Sequence, residues 1–174
     1  MNKKGQPIGS ALTTIDLHDI ARASATFGVA GFFVVTPYED QGHLAGDVIA
    51  HWTKGAGGEI NPDRKKALGL IRITASFEDA IDCIKKERNK PVVTIATSAK
   101  KNMDAITTGQ LKKSLKTNAS HVLAFGTAWG LAEEFIDRCD HILEPISGKN
   151  AYNHLSVRSA ASIYLDRIVN DRQA

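Results

Sequence analysis

Two glycine-bearing stretches hold the residue types from which a reaction site can be built. Gly126, Thr127, Ala128, Trp129 and Gly130 follow an apolar run and precede a helical pattern. Glycine lets a ligand approach the backbone closely, and the start of the next helix offers unpaired N–H groups. The spacing is neither GxGxxG nor GK[ST], so the dinucleotide and P-loop fingerprints are absent. The second stretch runs from Leu143 to Ala161 and contains Pro145, Gly148, Asn150, Tyr152, Asn153, His154 and Ser156 ahead of a long helical pattern. Small residues (Ser156, Ser159, Ala160, Ala161) cluster at its start and permit close packing. Each stretch also has a plain structural reading: a tight turn, a capped helix.

The elements that would carry these residues alternate. Short strands are expected at residues 8–13, 31–36, 70–74, 91–96, 121–125 and 142–146. Helices are expected at 16–27, with Asp16 as N-cap and Gly28 as stop, and at 44–52, 77–87, 108–116, from 131, and 153–170. Residues 53–64, rich in glycine and polar side chains, read as a loop. Strand–helix alternation predicts an α/β fold with a parallel sheet flanked by helices. In such sheets ligands sit beyond the carboxyl ends of the strands, which selects the loops at 97–101, 126–130 and 146–154.

With 174 residues the chain is read as a single domain, 1–174, able to bury a core without metals or disulfides. Cys83 and Cys139 have no metal-ligand or CxxC spacing and read as reduced thiols of a cytoplasmic protein. The basic N-terminus has no apolar stretch behind it, so no secretory signal is expected, and no run is long enough for a membrane helix. The net charge of +3 is unevenly spread: Lys and Arg exceed Asp and Glu by 7 in residues 61–118, while each flanking third is at −2. A polyanion partner fits that middle third.

Three stretches together resemble the SPOUT superfamily of RNA methyltransferases. From Asp16 to Val29, Arg22 and the Phe27–Gly28 pair are similar to the first SpoU-branch motif. Residues 123–131 are similar to the second. Glu144, Pro145, Ile146 and Gly148, followed by residues 153–157, are similar to the third. The resemblance runs from about residue 8 to the end, and in detail is to a small bacterial family of S-adenosylmethionine (SAM)-dependent RNA methyltransferases. Asp16 and His18 stand where the first motif has Asn and Gly, Ala128 near the usual Glu of the second, and His154 in place of the Asn of the third.

The resemblance implies a parallel sheet with a C-terminal trefoil knot and SAM as methyl donor. It implies a cofactor site of Thr97, Phe125, Gly126, Thr127, Pro145, Ile146, Gly148, Leu155 and Ser156, with Ile146 and Leu155 against the adenine. Arg22, His18 and His154 are its catalytic candidates. His18 and Arg22 lie four apart on one helix face. An imidazole suits a general base, and a guanidinium, which stays protonated, suits holding a phosphate or a developing alkoxide. A surface histidine is the plain alternative for His18. Its RNA-contact candidates are Trp52 with Lys54, Arg64, Lys65 and Lys66, the ring to stack on a base and the cations to meet phosphates. A core tryptophan ending a helix is the alternative for Trp52. The resemblance further implies ribose 2′-O-methylation of tRNA or rRNA, a homodimer to which the apolar stripe of the last helix could contribute, and no metal or membrane partner. A base methyltransferase of the same fold, or a non-catalytic RNA-binding or ribosome-assembly protein, is the alternative that the departures at 16, 18, 128 and 154 raise. A nucleotide-binding protein of another doubly wound fold has no motif here.

Overall fold

In the computed structural model, residues 11–150 and 152–170 are described. They fall into two compact units, one from Ala11 to Asp82 and one from Cys83 onward.

The first unit opens with α1 (Thr14–Thr26). Its N-cap is Thr13, not Asp16: the Thr13 hydroxyl accepts from the Asp16 amide and donates to the Asp16 carboxylate. Asp16 therefore sits inside the first turn, where a carboxylate complements the helix dipole. Residues 11–13 form no strand, and the rest of the strand expected at 8–13 lies outside the described residues. Gly28 follows the helix at φ +69°, the left-handed position at which helices commonly stop. β1 (Phe32–Val35) and β2 (Ile71–Thr74) pair in parallel, Phe32 opposite Ile71. Between them come α2 (Glu39–Thr53), α3 (Ala56–Ile60) and α4 (Pro62–Leu68). The loop expected at 53–64 is thus mostly helical. Asn61 caps α4 by accepting from the Arg64 amide, and Pro62 stands in the first turn, where its missing N–H costs nothing. Leu17, Ala21, Val34, Ala45, Ala67, Leu68 and Ile71 form the core. Burying a leucine such as Leu17 or Leu68 contributes roughly 1.5–3 kcal/mol.

The division between the units falls within α5 (Phe77–Arg88), whose start is closed by reciprocal hydrogen bonds between Ser76 and Asp79. The second unit holds β3 (Val92–Thr97), α6 (Thr108–Ser114), β4 (Ser120–Ala124), α7 (Glu133–Ile136), β5 (His141–Leu143) and α8 (Val157–Val169). Its strands are all parallel in the order β4-β3-β5, so the chain crosses the middle strand first and then adds both neighbours. α6 begins in a capping box between Thr107 and Gln110. α8 begins at Val157, capped by Ser156, rather than at 153. Ile95, Leu111, Leu143, Tyr164 and Ile168 form this core, which takes up the inner part of the α8 stripe. Leu155 and Val169 stay exposed. Asp140, just ahead of β5, accepts from the Thr94 amide and hydroxyl at 2.7 Å each. Those bonds pull its carboxyl below the usual range.

Candidate functional site

All nine expected cofactor-binding residues lie at the carboxyl end of the three-stranded sheet or in the loops that leave it. β3 ends at Thr97, which is buried; its hydroxyl donates to the Ala124 carbonyl at 2.9 Å and ties the ends of β3 and β4 together. Phe125, the first residue after β4, packs on the core with its ring 6.1 Å from that of Tyr164. The loop then folds back on itself. The Gly130 amide donates to the Thr127 carbonyl, and Ala128 and Gly130 adopt φ of +53° and +90°. A Cβ at Gly126 would collide with the Leu131 amide nitrogen and with Gly130 Cα at 2.8 Å. Glycine is required at 126 by close approach of backbone, not by its own φ.

After β5, Glu144 fixes the third loop. Its carboxylate accepts from the Thr108 amide at 2.7 Å, and its backbone carbonyl accepts from the Tyr164 hydroxyl at 2.7 Å. Ile146 packs on the core, so its side chain is committed inward rather than open as one wall of a slot. Pro145 lines a shallow cavity of about 430 Å³ with Lys101, Asn102, Met103, Ala105, Glu144 and Ser147. Gly148 is exposed, and a Cβ there would meet nothing within 4 Å, so no contact demands a glycine. Further on, Asn153 Nδ2 donates to the Ala99 carbonyl at 2.9 Å, a link from the third loop back to the first that sequence reasoning did not anticipate. Leu155 is 46% exposed. The Ser156 hydroxyl accepts from the Ser159 amide, so this side chain is used as a helix cap. His154 is exposed, with Tyr152 against its ring at 5.4 Å.

The remaining candidates belong to the first unit. His18 and Arg22 share α1, one half-buried and the other exposed. His18 stands edge-on to Trp52 at 5.5 Å, and its Nδ1 is buried with no hydrogen-bond partner among the described residues. Burial, followed by the Arg64 and Arg22 cations, outweighs Asp19 and lowers its pKa. The imidazole is therefore neutral at physiological pH, the form a base requires. Trp52 is occupied within its own unit. The Arg64 guanidinium lies 4.4 Å from its ring centre, His51 meets it edge-on, and Gly57 is packed against it so closely that a Cβ would come within 2.9 Å of Trp52 Cε3. Lys54, Lys65 and Lys66 are exposed.

A family model described as SAM-dependent RNA methyltransferase matches residues 1–170. The chain belongs to this family. Among its relatives is a tRNA (guanine-N(1)-)-methyltransferase of Oleidesulfovibrio alaskensis, 42% identical over 171 residues, covering 98% of this chain and 40% of that protein. An uncharacterized protein of Aquifex aeolicus is 32% identical over 169 residues, covering 97% of this chain and 82% of its own length. The chain thus spans about two fifths of the curated methyltransferases that it matches. The α/β fold with its parallel sheets is similar to that of SpoU methyltransferases. The SpoU methyltransferase AviRb from Streptomyces viridochromogenes, solved in complex with AdoMet, superposes with a TM-score of 0.55 at 15% identity over 97% of this chain and 60% of that one. Among the described residues no group of three or more His, Cys, Asp or Glu side chains could hold a metal ion, and no helix is long and apolar enough to cross a membrane.

Proposed function

We propose that the chain is a methyltransferase that modifies tRNA in the cytoplasm, with SAM as donor. The family match across residues 1–170 carries this reading, and the relatives named for tRNA supply the substrate class. The sheet end fits the cofactor. Gly126 lets the loop after β4 close tightly on its own backbone, and charged side chains are few in the loops after β4 and β5, as suits a neutral adenosine. Thr97, Phe125, Gly126, Thr127, Pro145, Ile146, Gly148, Leu155 and Ser156 would hold it, several through their backbone. The bound cofactor supplies an electrophilic methyl group on a sulfonium.

This chain's own work is to position the RNA and manage a proton. The accepting atom loses a proton as it attacks, and His18, held neutral, is the candidate to receive it, with His154 as the other. Arg22, exposed on α1, would hold a phosphate or offset the negative charge that develops on the acceptor. Lys54, Arg64, Lys65 and Lys66 would meet phosphates farther along the RNA, and Trp52 would brace Arg64. The trefoil knot belongs to this reading. So does a single SPOUT domain over 1–174, acting as a homodimer that the exposed Leu155 and Val169 could help to form.

For the atom methylated, the relatives' name favours a base, N1 of guanine, over the ribose 2′-hydroxyl expected from the motifs. Those relatives also hold about 250 residues outside the match, room for another complete domain that could own the named activity. The ribose therefore stands as the second reading, carried by Arg22 on the SpoU-like first helix. Incubation with methyl-labelled SAM and unfractionated tRNA, then nuclease digestion and mass spectrometry, separates the two. A methyl on guanine supports the first, a methyl on ribose the second. SAM binding with no methyl transfer to any RNA would leave only a binding protein.

A further inference from the structure

We infer that Trp129 is a stacking platform for an unpaired nucleobase of the RNA substrate, with Tyr152 offering a second ring at the same end of the sheet; this rests on the reading of the chain as an RNA methyltransferase. The chain has two tryptophans, and they differ in what they touch. Trp52 is packed among His18, His51, Gly57 and Arg64. Trp129 is 57% exposed and Tyr152 72% exposed. A large aromatic side chain left in water is a cost unless something covers it.

The turn that presents Trp129 is a held one. Ala128 sits at φ +53°, which a residue with a Cβ rarely adopts, and Gly130 follows at +90°. The Gly130 amide closes on the Thr127 carbonyl, while Gly126 lies in contact with the Gly130–Leu131 backbone. Strain of this kind persists only where the surroundings enforce it, and it is concentrated at ligand-binding positions. Here it fixes the direction of the backbone at Trp129. The three loops of this sheet end are also linked: Asn153 to the Ala99 carbonyl, and Lys100 to Glu133 by an exposed ion pair at 3.7 Å. Trp129 and Tyr152 thus stand on loops joined to a common neighbour.

The local charge favours a base over a phosphate as what meets the ring. Glu133 and Glu134 follow Trp129 closely, and both are exposed. Lys101 and Lys149, also exposed, remain for flanking phosphates. Every nucleobase has a π-face, so stacking adds affinity without demanding one sequence.

The test measures binding of unfractionated bacterial tRNA and of S-adenosylhomocysteine separately. Trp129→Ala is expected to weaken tRNA binding about tenfold, within the range that loss of one base–aromatic stack produces. Trp129→Phe should restore most of it, Tyr152→Ala should cost less, and S-adenosylhomocysteine affinity should not change. tRNA should quench tryptophan emission in the wild type but not in Trp129→Phe. Unchanged tRNA binding by Trp129→Ala overturns the inference. Parallel loss of S-adenosylhomocysteine binding overturns it too, by making the ring a wall of the cofactor site. A change in solution mass does so by making it a contact between copies. If the wild type binds and methylates no RNA, the proposed function falls, and the platform with it.

Discussion

The Tyr164 hydroxyl, reaching out of α8, donates to the Glu144 backbone carbonyl at 2.7 Å, where the chain leaves β5. One side chain of the last helix thereby fixes the start of the third loop, while the Glu144 carboxylate holds the start of α6. Tyr164→Phe keeps the packed ring and leaves that half-buried carbonyl without its donor, which should cost about 1 kcal/mol. Urea unfolding measures the loss, and calorimetry with S-adenosylhomocysteine should show weaker binding if the loop is part of the site. Burial raises the pKa of this phenol. A raised folded pKa means stability that is complete below the unfolded value near 10 and declines as pH rises through the folded one. The wild type should therefore lose stability in strong alkali by a component that Tyr164→Phe lacks.

Gly126 and Gly148 make opposite predictions, although both were expected at the site for the same reason. A Cβ at Gly126 meets backbone that cannot swing away, and one at Gly148 meets nothing within 4 Å. Gly126→Val should abolish detectable S-adenosylhomocysteine binding. Gly148→Ala should change it less than about threefold, under 0.7 kcal/mol. Unchanged binding in both variants would remove Gly126 from the site.

What could be read from the residues was what local chemistry decides alone. The strands at Val92–Thr97 and Ser120–Ala124 and the stop at Gly28 follow from apolar runs and from glycine's tolerance of positive φ, although β4 is less buried than its apolar run suggests. Arg22 and Gly126 were found by resemblance, since neither helix periodicity nor a bare GxxxG singles them out. Three features escaped, two because local packing or an equally good neighbouring cap decides them and one because its partners are distant in sequence. α3 forms in a glycine-rich segment because Gly57 and Gly58 can lie against Trp52. Thr13 displaced Asp16 as cap because its hydroxyl serves the Asp16 amide, and either residue type is a good cap. The Asn153–Ala99 link joins residues 54 apart, and no spacing rule points to it. Trp129 was legible in type, an aromatic between two glycines after a strand, but its exposure was not.

His18 yields a pH prediction with an unusual sign for a histidine. Its folded pKa lies below the ordinary 6.5, chiefly through burial and then through Arg64. The unfolded chain takes up a proton more readily, so the contribution of His18 to stability is present above 6.5 and is lost as pH falls through the folded value. Wild-type protein should lose more urea stability between pH 7.5 and 5 than His18→Gln does. If His18 is also the base, methyl transfer should fall with acid at a pH below 6.5, and His18→Gln should flatten that limb. An acid limb unchanged in the variant would return His18 to a packing role beside Trp52.

Ser156 is a clean test of whether the last helix orders the third loop. Its hydroxyl accepts from the Ser159 amide, and the helix begins one residue later. Ser156→Ala should cost about 1 kcal/mol, the usual value of a lost N-cap, whereas Ser156→Asp should hold most of the stability. A methylation defect in Ser156→Ala that Ser156→Asp repairs would mark the residue as a cap. A defect in both would mark its hydroxyl as a direct contact of the cofactor.

Arg22 separates catalysis from structure because it is exposed and sits inside a helix that alanine favours. Arg22→Ala should leave urea stability within about 0.5 kcal/mol and S-adenosylhomocysteine affinity unchanged. Methyl transfer to tRNA should nevertheless fall by about a hundredfold or more, as when one preorganised donor is removed from a developing charge. Arg22→Lys keeps the charge but loses the planar fork, so its recovery tells which matters. Near-full activity in the lysine variant would mean that a point charge near phosphate suffices; little recovery would mean that two parallel donors are needed. Wild-type turnover by Arg22→Ala would remove the residue from the reaction and leave the proton acceptor as the chain's remaining candidate contribution from α1.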